Sequence, residues 1–241
     1  MIRFLPRIGS LRTAYRRQAR TVTKDEVRAR IEEIGIIPAA RLASAEDALF
    51  AAEAVSSGGI PIVEVTMTVP GALNVISELT RSKPEITVGA GTVLDVETAR
   101  RCLDAGANFL TSTGLDLEIV EFALKNEIVV IPGALTPSEI MTAWKAGSDF
   151  VKIFPCAQFG GSSYIKALKA PFPHVPLIAS GGVNQQTAAD FIRAGAVAVG
   201  IGTDLIEPEA IRQREHEWIR ELAHRFLHLV GGARKQTQAR R

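Results

Sequence analysis

From about residue 24, brief apolar runs rich in β-branched residues alternate with longer segments whose apolar positions recur every three or four residues. The first four runs are "GIIPAAR" (35–41), "IPIVEVT" (60–66), "ITVGAG" (86–91) and "NFLTS" (108–112). Four more follow: "IVVIPG" (128–133), "DFVKIFP" (149–155), "PLIASGG" (176–182) and "AVAVGIG" (196–202). Each is short and largely apolar rather than alternating, which predicts strands covered on both faces. The intervening segments share one grammar: a capping residue, an amphipathic stretch, then glycine ahead of the next strand. "SAEDALFAAEAVSSGG" opens on Ser44 with acids in its first turn, and "DVETARRCLDAGA", "TPSEIMTAWKAGS" and "NQQTAADFIRAGA" repeat the pattern.

Eight strands, each followed by a helix, over about 200 residues predict a single-domain α/β chain folded as a (β/α)₈ TIM barrel. A doubly wound open sheet is the alternative, but it more often carries a glycine-rich loop after its first strand. Here that strand runs into "ARLAS", and the glycines gather after strands seven and eight. A helix over 24–34 is expected to cover the barrel bottom, and one over about 208–230 to complete the outer ring. The division is then a basic N-terminal extension (1–23), the barrel (24–230) and a basic C-terminal tail (231–241).

Composition changes this picture little. The chain has 241 residues, 46% apolar and 22% charged, and needs no staple to bury a full core. Its net charge of +2 hides an uneven distribution, with no acid before Asp25 and a basic "GGARKQTQARR" at the end. The arginine-rich start reads as an organellar transit peptide, a nucleic-acid arm or a solvated extension, and is set apart from the fold. The expectation taken forward is a cytoplasmic protein with no nucleic-acid or membrane partner. Cys102 and Cys156 lack metal or redox spacing, as expected of reduced cytosolic thiols. No apolar stretch approaches the roughly 18–20 residues that span a bilayer.

In a TIM barrel the chemistry sits at the C-terminal ends of the strands. Those ends carry Arg41, Glu64 with Thr66, Gly91-Thr92, Ser112-Thr113, Lys152, "SGG" (180–182) and "GTD" (202–204). Lys152 lies inside the apolar run "DFVKIFPC". Burial disfavours an ammonium, and a neutral amine can attack a carbonyl to form a Schiff base, the electron sink for making or breaking a C–C bond. Glu64 is the acid placed to move protons, though its charge opposes the effect of burial on the amine. Glycine-rich turns after strands seven and eight suit a phosphate, with Ser180 and Thr203 adding hydroxyls. A structural Lys–Glu pair, a barrel that isomerises a phosphorylated metabolite by acid–base chemistry, and a non-catalytic module acting through its basic termini fit the same residues.

"GGIPIVEVTMT", "VGAGTV", "IPGALTPSEIMTAWKAG", "VKIFP" and "SGGVN…GAVAVGIGT", in this order and spacing, resemble the bacterial 2-keto-3-deoxy-6-phosphogluconate (KDPG) and 4-hydroxy-2-oxoglutarate (KHG) aldolase family over about residues 35–206. The resemblance implies a class I lyase that needs no metal or other cofactor, is a homotrimer, and acts on a small phosphorylated keto acid in carbohydrate metabolism, as in the Entner-Doudoroff pathway. It implies Lys152 as the Schiff-base lysine and Glu64 as the acid/base working through a water. Arg41 and Thr92 would hold the pyruvate carboxylate, and Phe154 would pack the pocket. Gly181, Gly182 and Thr203, with Ser180 and Gly202 in the same turns, would hold the distal phosphate. The chain departs from the family at Thr68 in "EVTMT", where some members have arginine, and at Thr113 in "STG", where some have proline. Both bear on the aldehyde partner, which stays open between a phosphorylated gluconate or galactonate derivative and the glyoxylate of hydroxyoxoglutarate.

Overall fold

The strand–helix alternation is realised as a ring of parallel strands, seen in a computed structural model that describes residues 22–239. The N-terminal extension expected over 1–23 lies outside the described residues except for Val22 and Thr23. Nine strands form one sheet: β1 (Ile36–Ala40), β2 (Ile62–Thr66), β3 (Thr87–Gly91), β4 (Phe109–Thr111), β5 (Val129–Ile131), β6 (Gly133–Ala134), β7 (Val151–Ile153), β8 (Leu177–Ser180) and β9 (Ala198–Ile201). Their order is β5-β4-β3-β2-β1-β9-β8-β7-β6. The single fifth strand expected over 128–133 is divided at Pro132, which has no N–H to donate to a ladder. β5 pairs with β4 and β6 with β7, so the barrel closes across that one residue. The Pro132 carbonyl still accepts the Lys152 N–H at 2.9 Å.

The helices are α1 (Lys24–Ile34), α2 (Ala45–Ser57), α3 (Ala72–Ser82), α4 (Val96–Asp104), α5 (Leu117–Lys125), α6 (Pro137–Lys145), α7 (Gly161–Lys169), α8 (Ala188–Arg193), α9 (Pro208–Arg212) and α10 (His216–Gln238). Three start as the sequence predicts. Ser44, Asp95 and Thr136 each accept the backbone N–H three residues on, satisfying one of a helix's orphan donors. The "NQQT" segment differs. Asn184 Oδ1 accepts the Gln186 and Thr187 N–H groups in a turn of its own, and α8 begins later, at Ala188.

α1 covers the barrel bottom by burying Val27 and Ile31 among Ile37, Ile62, Phe109, Val129, Phe150 and Ile178. Each such side chain contributes about 1.5–3 kcal/mol when fully withdrawn from water. At the other end of the chain the one helix expected over about 208–230 is two. The break carries Arg214 at φ +55°, with its guanidinium paired to Glu46 (2.6 Å) and Asp47 (2.9 Å) at the start of α2. α10 then runs to Gln238, so the tail boundary expected at 231 falls inside a helix. Its buried stripe continues past that point: Phe226, Val230 and Ala233 are all withdrawn from solvent. Both cysteines are buried and free, and burial pushes each thiol up to about 12.

Candidate active site

Strand register decides which side chains meet inside the ring. Glu64 on β2 lies level with Ala39 on β1 and Gly89 on β3. Lys152 on β7 lies level with Gly133 and with Ile178 on β8. Both point across the barrel, and Lys152 Nζ stands 3.4 Å from Glu64 Oε2. The two residues are 7% and 4% exposed, so the pair is screened by protein rather than by bulk water. Thr111 Oγ1 lies 3.5 Å from the same nitrogen, and the Phe154 ring centroid lies 5.7 Å away.

A cavity of about 250 Å³ opens at the C-terminal ends of the strands onto this pair. Arg41, Glu64, Thr113, Lys152, Phe154, Ser180, Gly181, Gly182, Gly202 and Thr203 all line it. These are ten of the eleven residues expected from sequence to catalyse the reaction or bind the substrate. The eleventh, Thr92, is not a lining residue. Its hydroxyl meets Arg41 Nη2 at 3.5 Å, and its φ of +58° is unusual for a residue with a β-branch. Thr68, at the departure from the family pattern, is occupied by Thr66, hydroxyl to hydroxyl at 2.9 Å.

The distal wall is a turn that side chains cannot occupy. Gly181 and Gly182 have φ of +87° and +78°, and a Cβ on Gly182 would lie 2.4 Å from that of Ala157. Backbone amides there are open to close approach by an anion. Sequence reasoning missed Ala39, Val183, Gly200 and Ile206, which also line the cavity, and gave Asp204, noted at the end of the eighth strand, no role. Asp204 corrects the expectation that Glu64 is the one acid so placed. It sits directly after Thr203, and burial raises its carboxyl above the ordinary aspartate value. The "GTD" triplet carried that signal. Chemically, the cavity joins a buried amine, a carboxylate in contact with it, one guanidinium at the mouth and an amide-lined distal wall.

The family model for KDPG and KHG aldolase matches residues 27–222. The 2-dehydro-3-deoxy-phosphogluconate aldolase of Pseudomonas aeruginosa is 34% identical over 182 residues, 76% of this chain and 82% of that protein. Among solved structures, the KDPG aldolase of Legionella pneumophila, with pyruvate captured as a covalent carbinolamine intermediate, is 33% identical. It covers 82% of this chain and 96% of its own, with a TM-score of 0.77. The 2-keto-3-deoxy-6-phosphogluconate aldolase of Zymomonas mobilis, with 3-phosphoglycerate, is 25% identical and covers 86% of this chain and 97% of its own, with a TM-score of 0.76.

Proposed function

As the chain belongs to the KDPG and KHG aldolase family, we propose that it is a class I aldolase that cleaves 2-keto-3-deoxy-6-phosphogluconate, or a related 2-keto-4-hydroxy acid such as 4-hydroxy-2-oxoglutarate, to pyruvate and an aldehyde. The observation that carries this reading is the buried Lys152 amine 3.4 Å from the Glu64 carboxylate on one cavity. Lys152 Nζ attacks the C2 ketone, and loss of water from the carbinolamine leaves an iminium. Glu64, through a water, takes the proton of the C4 hydroxyl. The C3–C4 bond breaks, its electron pair passes into the iminium as an enamine, and the aldehyde departs. Protonation at C3 and hydrolysis of the imine release pyruvate and restore the amine.

In this reading Arg41, with Thr92 against it, binds the pyruvate carboxylate, and the Gly181–Gly182 turn with Ser180, Gly202 and Thr203 receives a distal phosphate; the Arg41–Thr92 contact and the cavity lining support it. Phe154 and Thr113 wall the space between. A homotrimer acting in the cytoplasm completes the proposal, on the family resemblance. Among the described residues no helix is long and apolar enough to cross a membrane.

Borohydride reduction in the presence of pyruvate tests the reading directly. The peptide carrying Lys152 is expected to gain a reduced pyruvyl adduct, and Lys152→Met to abolish both the adduct and pyruvate release from the substrate. Labelling at another lysine, or turnover by the methionine variant at the parental rate, would refute it.

A further inference from the structure

Lys152 touches one polar side chain that the family resemblance does not assign. Thr111, the last residue of β4, is 2% exposed and places its hydroxyl 3.5 Å from Lys152 Nζ. We propose that Thr111 is a positioning residue for the aldol chemistry: its oxygen accepts one N–H of the Lys152 amine while Glu64 accepts the other. The proposal rests on the Schiff-base reading of Lys152.

A neutral primary amine has two hydrogens and one lone pair, and only the lone pair attacks the ketone. If both hydrogens are held at the back, the lone pair is turned into the cavity. If one is free, the amine rotates about its last C–N bond and spends part of its time misdirected. The geometry offers two acceptors, Glu64 Oε2 at 3.4 Å and Thr111 Oγ1 at 3.5 Å. Bonds of this length shorten when a site closes on its substrate. The Phe154 ring, 5.7 Å away at its centroid, lies near the amine without supplying an oxygen.

Two observations separate Thr111 from the binding residues. It does not line the cavity, so it acts through Lys152 and not on the substrate. Lys152 is also the hydrogen-bond partner of its hydroxyl among the described residues. β4 is flanked by β3 and β5, and Thr111 lies level with Ile131 on the latter. Valine has the same shape, suits a strand equally well and carries no hydroxyl to desolvate. On packing grounds alone valine is the better residue here, and the amine is what makes use of the oxygen.

The test compares Thr111→Val and Thr111→Ser with the parent protein. It measures the single-turnover rate of borohydride-trapped imine formation with pyruvate, steady-state kcat and KM for the keto acid, and Tm. T111V is expected to slow trapping and kcat about five- to tenfold, the loss of one hydrogen bond, with KM unchanged. T111S is expected to restore both rates. Thr111→Ala, which removes the hydroxyl without an added methyl, should repeat the T111V result if the valine variant folds poorly. A T111V protein that traps pyruvate at the parental rate, even with an altered Tm, overturns the proposal and leaves the Schiff-base reading intact. So does a T111S protein as slow as T111V. A parent protein that labels at no lysine brings down the Schiff-base reading and this proposal with it.

Discussion

At the scale of single residues, Gly91 decides whether Glu64 can reach Lys152. A Cβ built on Gly91 would lie 2.0 Å from Glu64 Oε1 and 2.4 Å from its carboxyl carbon. No methyl fits there unless the carboxylate moves, and the neighbour it would leave is the amine 3.4 Å away. Gly91→Ala is therefore expected to keep the fold while lowering kcat by at least about tenfold, a cost of about 1.4 kcal/mol in the barrier. Solvent exchange of the pyruvate methyl protons, a step that needs the base but not the aldehyde, should fall in parallel. Parental exchange in the alanine variant would show that Glu64 is not the group moving those protons. Residue identity alone made Lys152 and Glu64 legible, because charges set in apolar runs are costly and so conspicuous. Thr111 is inconspicuous in the sequence, because the polar end of its strand continues through Ser112 and Thr113. Side chains two apart share a face, so Thr111 and Thr113 point into the barrel together, and the inner one of the two touches the amine.

At the scale of elements, the rhythm was visible because parallel strands buried on both faces read as uninterrupted apolar runs. One boundary that stayed hidden lacks the usual punctuation. The turn between α9 and α10 contains neither glycine nor proline, and is held by the long-range pairing of Arg214 with Glu46 and Asp47, which no local pattern reports. Where the punctuation is present, as in the capping box of α6, its energetics can be tested. Glu139 Oε2 accepts the Leu135 N–H at 2.8 Å and the Thr136 N–H at 2.7 Å, and these bonds hold its carboxyl below the ordinary glutamate value of 4.5. Because folding depresses this group, its contribution is complete above that value and is lost as pH falls through the folded one. Glu139→Gln keeps the shape without the charge. Its thermal stability should trail the parent's by no more than about 1 kcal/mol at neutral pH, since the group is largely exposed. The gap should narrow as pH drops below 4.5. A gap that is constant or widening in acid, in paired thermal melts, would remove the charge from the account.

At the scale of the whole molecule, the last helix is clasped to the bottom of the barrel. Arg234 on α10 donates to the Glu32 carbonyl at 2.7 Å, the Glu33 carbonyl and the Val197 carbonyl at 2.8 Å. The first two belong to the last turn of α1, where carbonyls have no partner within the helix. The third immediately precedes β9, so one guanidinium joins the bottom helix, the outer ring and the strand next to β1. Gly35 makes room for it: a Cβ there would lie 2.3 Å from Arg234 Nη2. Arg234 itself lies beyond residues 27–222, the span that the family model matches, while the carbonyls it holds lie within it. Methionine at 234 would preserve the aliphatic stem and remove the fork. Arg234→Met is expected to lower stability by about 1–3 kcal/mol, because charged donors to carbonyls are among the stronger hydrogen bonds and the half-buried Val197 oxygen is hardest to resolvate. Its kcat should be parental, since Arg234 clasps the bottom of the barrel and the cavity opens at the other end of the strands. Urea unfolding alongside steady-state kinetics separates the two quantities. A fall in kcat with unchanged stability would mean that the bottom of the barrel communicates with Lys152, and the clasp would have to be reassigned from holding the fold to shaping the site.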